Sequence, residues 1–149
     1  MEVVFVQYDN TFLEKSWGWL NTPEIAYLTQ TPVFSKEDQL HWFESLKEKN
    51  DYMIWGIRCD NIPVGVCGLK NINISSAEYW GYIGEKEYWG KGIGKKMLTF
   101  IENEAIKLDL CILELNVLKD NVRALHLYEK QGFVMKKIGH LNILMAKEI

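Results

Sequence analysis

The sequence has no cysteine pair at metal or redox spacing, no excess charge of one sign and no long apolar run. Cys59, Cys67 and Cys111 are odd in number, widely spaced and without a CxxC pair. They read as reduced thiols packed as small apolar groups. His41, His126 and His140 share no ligand spacing with one another or with the cysteines, so no metal is expected. A net charge of −3 provides no basic field for nucleic acid. No stretch approaches membrane-spanning length and no signal peptide precedes Met1-Glu2-Val3-Val4, so a soluble cytoplasmic protein is expected. Repeats, linkers and low-complexity segments are also missing. The 149 residues read as one domain, 1–149, with a sizeable core, acting as a monomer or homodimer.

What is present centres on Ala77 to Ala105, AEYWGYIGEKEYWGKGIGKKMLTFIENEA: an aromatic strand, a charged loop, a glycine-spaced turn and a helix. Unpaired N–H groups and the dipole at a helix N-terminus favour an anion. Gly90, Gly92 and Gly94 let a phosphate approach the main chain, and Lys91, Lys95 and Lys96 add charge. The stretch reads as a diphosphate cradle. A Walker loop needs a hydroxyl after its lysine, and Gly94-Lys95-Lys96 has none. A dinucleotide fingerprint needs different glycine spacing and an acidic residue about 20 positions on, and neither is found.

The remaining elements follow from pattern. Val3–Tyr8 is a short β-branched strand; residues 12–30 are irregular, with one possible helix near Trp17 and Trp19 and a helix start at Thr22-Pro23-Glu24. Ser35 opens a helix with Asp38 three residues on; Leu40, Phe43 and Leu46 share a face, and Asn50 can end it. Strands are expected at 52–58 and 63–70 around an Asp60-Asn61 turn, then at 77–84, 111–117, 133–138 and 142–147. Helices are expected at 92–107, with the stripe Ile93, Met97, Phe100, Ile101 and Leu108, and at 121–131. This order predicts an α/β (α+β) domain: a mixed sheet of about six to seven strands with helices on both faces.

Two blocks carry a family resemblance. Trp89-Gly90-Lys91-Gly92-Ile93-Gly94 resembles the acetyl-CoA signature of the GNAT N-acetyltransferase superfamily, Gln/Arg-x-x-Gly-x-Gly/Ala. Its Trp-Gly-Lys-Gly form is that of the branch holding ribosomal-protein N-terminal and amino-sugar acetyltransferases. Asn116 to Ala124, then Leu127-Tyr128-Glu129-Lys130-Gln131-Gly132-Phe133, resembles the second CoA-side block, Asn-x-x-Ala…Tyr-Glu-Lys-x-Gly-Phe. The resemblance implies a GNAT-like fold in which strands 77–84 and 111–117 splay to admit the pantetheine arm, with a bulge at Gly81 or Gly84. It implies acetyl-CoA as acyl donor and an amine as acceptor. The implied cofactor-binding residues are Tyr82, Ile83, Trp89, Gly90, Lys91, Gly92, Ile93, Gly94, Lys95, Asn116, Asn121, Ala124 and Tyr128.

Acyl transfer from a thioester to an amine requires deprotonation of the amine, stabilisation of the oxyanion and protonation of the leaving thiolate. Tyr128 matches the family tyrosine that approaches the CoA sulfur and protonates it; its alternative is a core aromatic. Glu78 is the first candidate base, placed by the resemblance and expected in a desolvating aromatic setting of Tyr79, Trp80 and Tyr82; a solvated edge glutamate is the alternative. Asn116 stands where other branches carry a glutamate, leaving a water-binding amide, and Glu85 is a third candidate. Asn121 is read as a helix cap whose amide also bonds pantetheine. A main-chain N–H near Ile83 meets the oxyanion. The acceptor region holds Trp17, Trp19, Tyr27, Phe34, His41 and Trp42 with Glu14, Glu24, Glu37 and Asp38, and suits a cationic amine. The resulting expectation is acetylation of a primary amine on a small molecule, such as a nucleotide-linked amino sugar. The alternatives are a protein N-terminal amine or a non-catalytic acyl-CoA module.

Overall fold

The computed structural model describes residues 1–149. Its elements are β1 (Val3–Gln7), α1 (Asn10–Leu20), α2 (Pro23–Thr29), α3 (Lys36–Ser45), β2 (Met53–Cys59), β3 (Ile62–Lys70), β4 (Ser76–Ile83), α4 (Ile93–Lys107), β5 (Ile112–Leu118), α5 (Val122–Lys130), β6 (Val134–Ile138) and β7 (Asn142–Glu148). The seven strands form one mixed sheet in the order β1-β2-β3-β4-β5-β7-β6. Only β4 and β5 run parallel, and only for three pairs, Ser76–Ile112, Ala77–Leu113 and Glu78–Glu114. Beyond Glu78 the two strands part. The expected splay is there.

Helices cover both faces of the sheet. Ile93, Met97, Leu98, Ile101 and Ala105 of α4, with Leu125 of α5, join Ile57, Leu69, Leu113, Leu115 and Met145 in the main core. Phe12, Leu13 and Trp19 of α1 and Ile25 of α2 pack with Tyr8 and Val66 in a smaller core. The β2–β3 turn is tight because Asp60 and Asn61 both take positive φ, 49° and 69°, a conformation their short polar side chains tolerate.

Several expectations need correction. The possible helix near Trp17 and Trp19 is the 11-residue α1, which starts at Asn10, ahead of the segment expected to be irregular, and its N-cap Asp9 accepts from Thr11 N at 3.0 Å. In α3 the Ser35–Asp38 capping box forms, but the helix stops at Ser45 and Leu40 is 46% exposed. The inward side of α3 is instead the half-buried Gln39, Trp42 and Phe43, with Gln39 Nε2 donating to Leu13 O. On α4, Leu98 and Ala105 complete the buried stripe; Phe100 lies half-buried and stacked on Phe5 at 4.1 Å, and Leu108 falls past the helix end. No bulge interrupts β4, since its ladder with β3 runs in unbroken register from Lys70–Glu78 to Gly65–Ile83. Gly84 is needed for another reason: the Trp19 ring lies where a Cβ would be. Cys59 and Cys67 are buried, whereas Cys111 is exposed.

Candidate active site

The glycine turn opens α4. Gly90 and Gly92 take φ of +73° and +83°, a region closed to most side chains. Gly92 caps α4 without any side-chain bond, and no acidic residue occupies the first turn. The amides of Ile93, Gly94 and Lys95 are thus bare at the end of a 15-residue helix, where the dipole favours an anion. Gly94 has a different role. A Cβ there would lie 2.9 Å from Leu127 Cδ2, so glycine lets α4 and α5 close on each other. These amides line a cleft of about 570 Å³, together with Tyr82, Ile83, Trp89, Gly90, Arg123, Ala124 and Tyr128. Asn121, also in the lining, accepts from Ala124 N at 3.3 Å and so caps α5.

Two expected cofactor residues lie elsewhere. Lys91 is exposed and outside the cleft, because the left-handed glycines on either side turn it to solvent. Asn116 is absent from this cleft and instead gives its Nδ2 to Glu78 Oε2 at 3.3 Å. Trp89 anchors the turn, donating Nε1 to Ile83 O at 2.8 Å. Arg123, which the sequence reading passed over as one letter of a motif, sits over the Trp89 ring at 6.0 Å.

The parted strands expose main chain. Gly84 N donates to Val64 O at 2.7 Å. Alternation of antiparallel bonds therefore commits Glu78, Trp80 and Tyr82 to β3; the Tyr79 amide closes the last parallel pairing with β5, and those of Gly81 and Ile83 turn toward the gap. Tyr82 thus offers its ring rather than its backbone. Ile83 O is taken by Trp89, which leaves the N–H groups of Gly81 and Ile83 facing the opening.

A second cleft of about 630 Å³ opens on the other side of the splay, lined by Phe34, Asp38, Trp42, Tyr52, Glu78 and Trp80 among others. The two clefts share Leu28, Thr29, Tyr79, Gly81, Tyr82, Asn121 and Tyr128. Of the residues expected around the acceptor, Phe34, Trp42 and Asp38 line this cleft. Trp17 braces Phe34 edge-on at 5.3 Å, Trp19 is core, and Tyr27 bonds Asp120 at the surface at 2.6 Å. Glu24 pairs with Lys86 at 2.8 Å and lines the first cleft; Glu14, Glu37 and His41 are exposed and line neither. Tyr8 and Ser16, joined at 3.0 Å, are lining residues that the sequence reading missed; the signal was a serine on the buried face of α1.

The sequence profile of the acetyltransferase (GNAT) family matches residues 18–133. The chain belongs to that family. It is an acetyl-CoA-dependent N-acetyltransferase by family chemistry. Acetyltransferase PseH of Campylobacter jejuni is 26% identical over 132 residues, 88% of this chain and 82% of that protein. An uncharacterized protein of Methanocaldococcus jannaschii is 25% identical over 146 residues, 95% of this chain; the chain spans 30% of that protein's length. Among solved structures, a spermidine N-acetyltransferase from Vibrio cholerae, in complex with CoA and spermine, superposes with a TM-score of 0.88 at 20% identity, covering 98% and 95% of the two chains. PseH in complex with acetyl coenzyme A gives 0.76 at 19% identity, covering 99% of each. These likenesses fix the GNAT fold. No helix of the chain is long and apolar enough to cross a membrane.

Within this GNAT frame the candidate catalytic groups separate clearly. Tyr128 stands where the clefts meet, edge-on to Tyr79 and Phe133 at 6.3 and 5.9 Å. Burial pushes its phenol up to about 12, so it carries its proton throughout the neutral range. Glu78 lies in the second cleft on the same face as Trp80 and Tyr82, but its carboxylate is met by amides and a lysine. Asn71 Nδ2 donates to Oε1 at 3.3 Å, Asn116 Nδ2 to Oε2, and Lys70 Nζ lies 3.6 Å away. Strand alternation sends only Tyr79 of the three expected rings to the opposite face, and the neighbouring loop and β5 supply the amides. Glu85 accepts from Trp19 Nε1 at 3.0 Å and lines neither cleft, which removes it as a base.

Proposed function

We propose that this GNAT enzyme transfers the acetyl group of acetyl-CoA to the primary amine of a small molecule, a nucleotide-linked amino sugar, in the cytoplasm. The observation that carries this reading is the meeting of two clefts at Tyr128, one walled by bare amides and the other by aromatic rings. The first fits the donor: anion-binding amides at α4, a left-handed glycine turn and the unpaired edge of β4 for an extended amide-bearing arm. Ile83, Trp89, Gly90, Gly92, Ile93, Gly94, Lys95, Asn121 and Ala124 would hold it there.

The second cleft fits a ring better than a chain of cations. Phe34, Trp42, Tyr52 and Trp80 provide flat apolar faces. Its carboxylates are already engaged, Asp38 by the Ser35 backbone at 3.0 Å and Glu78 by Asn71, Asn116 and Lys70. A polyamine would find few free negative charges there. In the reaction Glu78, or a water held by Glu78 and Asn116, takes the amine proton, and Tyr128 protonates the departing sulfur. The test is thiol release from acetyl-CoA with nucleotide-linked amino sugars, spermidine and N-terminal peptides. Turnover fastest on the amino sugars is expected; faster turnover on spermidine or peptide overturns the substrate assignment. CoA raising the thermal midpoint with no turnover on any amine overturns the enzyme.

A further inference from the structure

Tyr79 is the second phenol at the junction of the clefts. It is 4% exposed, lines both clefts and meets the Tyr128 ring at 79°. Its hydroxyl forms no hydrogen bond within the protein and keeps contact with the cleft space. A glycine fixes where that hydroxyl sits. A Cβ on Gly81 would lie 2.8 Å from Tyr79 Oη and 2.8 Å from Met97 Cε, so the phenol fills space that any other residue at 81 would claim. The Gly81 amide faces the same gap. For packing alone phenylalanine would serve, yet a hydroxyl is kept here on the wall of both clefts. Its partner is whatever fills the cleft, solvent at rest and the occupant when one is bound.

We infer that Tyr79 is a further catalytic residue, donating its O–H, beside the Gly81 N–H, to the carbonyl oxygen of the acetyl thioester. The inference rests on the acetyl-transfer reading and deepens it. The amine lone pair forms the C–N bond while the carbonyl π pair moves onto oxygen, where Tyr79 and Gly81 hold the charge. The pair then returns, the C–S bond breaks, and sulfur leaves with its electrons and takes a proton from Tyr128. The nitrogen gives one proton to the base, and solvent carries it back to Tyr128, so protons balance. Tyr79 keeps its own proton; burial holds it well above its ordinary pKa.

Tyr79→Phe removes the hydroxyl alone. With the best amine of the panel above, kcat is expected to fall about 10²–10³-fold, as for loss of one oxyanion donor. The amine KM and the CoA Kd should stay within twofold, and the thermal midpoint should hold or rise. Gly81→Ala, which crowds the hydroxyl, should also lower kcat, and combining it with Tyr79→Phe should add little. A Tyr79→Phe kcat within threefold of the parent overturns the role, as does a loss that tracks weakened CoA binding. A parent enzyme that releases no thiol with any amine fails one step earlier, at acetyl transfer itself, and takes the proposal with it.

Discussion

The two clefts flank one gap in the sheet but are built from different material. The donor side is mostly main chain: amides at the start of α4, the Gly90–Gly92 turn and the free edge of β4. The acceptor side is mostly side chain: Phe34, Trp42, Tyr52, Trp80 and Glu78, contributed by segments from the α2–α3 connection to β4. A backbone site tolerates sequence change as long as its glycines stay, because every residue has the same N–H. A side-chain site changes specificity with each substitution. The division matches the chemistry, in which one donor serves many acceptors. Where the two meet, both kinds of site depend on phenols, and there single atoms matter most.

The largest effect is therefore expected at the junction. Tyr128→Phe should lower kcat about 10²–10⁴-fold while acetyl-CoA affinity holds. An unchanged rate would show that the junction is only packing. Next is alkaline stability. Tyr8 on the acceptor side and Tyr128 at the junction are both raised by burial to about 12 from 10.0. The folded state keeps these protons where the unfolded chain has lost them, so stability is full below pH 10 and declines between pH 10 and 12. Each phenol would contribute roughly 2–3 kcal/mol of that loss. Denaturant midpoints at pH 8, 10 and 11 check this, and a midpoint flat to pH 11 would contradict the burial of both rings.

The comparison itself is sharpened by one substitution on each side. Gly92→Val forces a β-branched residue into φ +83° with no contact within 4 Å, so its whole cost is backbone, about 1–2 kcal/mol. Acetyl-CoA affinity should drop roughly tenfold, with the amine KM unmoved. Trp42→Ala removes a ring held edge-on to Tyr8 at 5.8 Å, worth about 1 kcal/mol beyond its area. The amine KM should rise roughly fivefold and the CoA Kd stay put. If either change moves both constants equally, the clefts are not separable.

The same division explains how much the sequence told. The donor side was legible because its signals are local: positive-φ glycines two apart, a helix start without an acidic cap, and Asn121 three residues before the N–H it caps. The strands from β2 onward were legible for the same reason. Helix α1 was partly hidden, since Gly18 interrupts it and its cap Asp9 lies just before the stretch taken as irregular, although Phe12, Leu13, Ser16 and Trp19 do recur on one face. The setting of Glu78 was not legible. It depends on Asn71 from a loop and on Asn116, 38 residues downstream, brought alongside by a parallel register that only the folded sheet sets. Asn116 was lost to the donor side by the same fact.

Arg123 tests the division within the donor cleft itself. It is the one cation there that lies over an aromatic ring, 6.0 Å from Trp89, and it is exposed. Exposed cation–π contacts contribute about 0.5–1 kcal/mol, and charge–phosphate attraction at the surface is screened beyond about 10 Å at 0.1 M salt. The α4 amides, by contrast, act through short hydrogen bonds to whatever anion sits on them. Arg123→Ala should therefore weaken acetyl-CoA binding only about two- to fivefold at low salt, and the difference from the parent should shrink by 0.5 M salt. Binding titrations at the two salt concentrations decide the point. A larger loss that persists at high salt would make the donor cleft a side-chain site after all, and would erase the contrast with its neighbour across the gap.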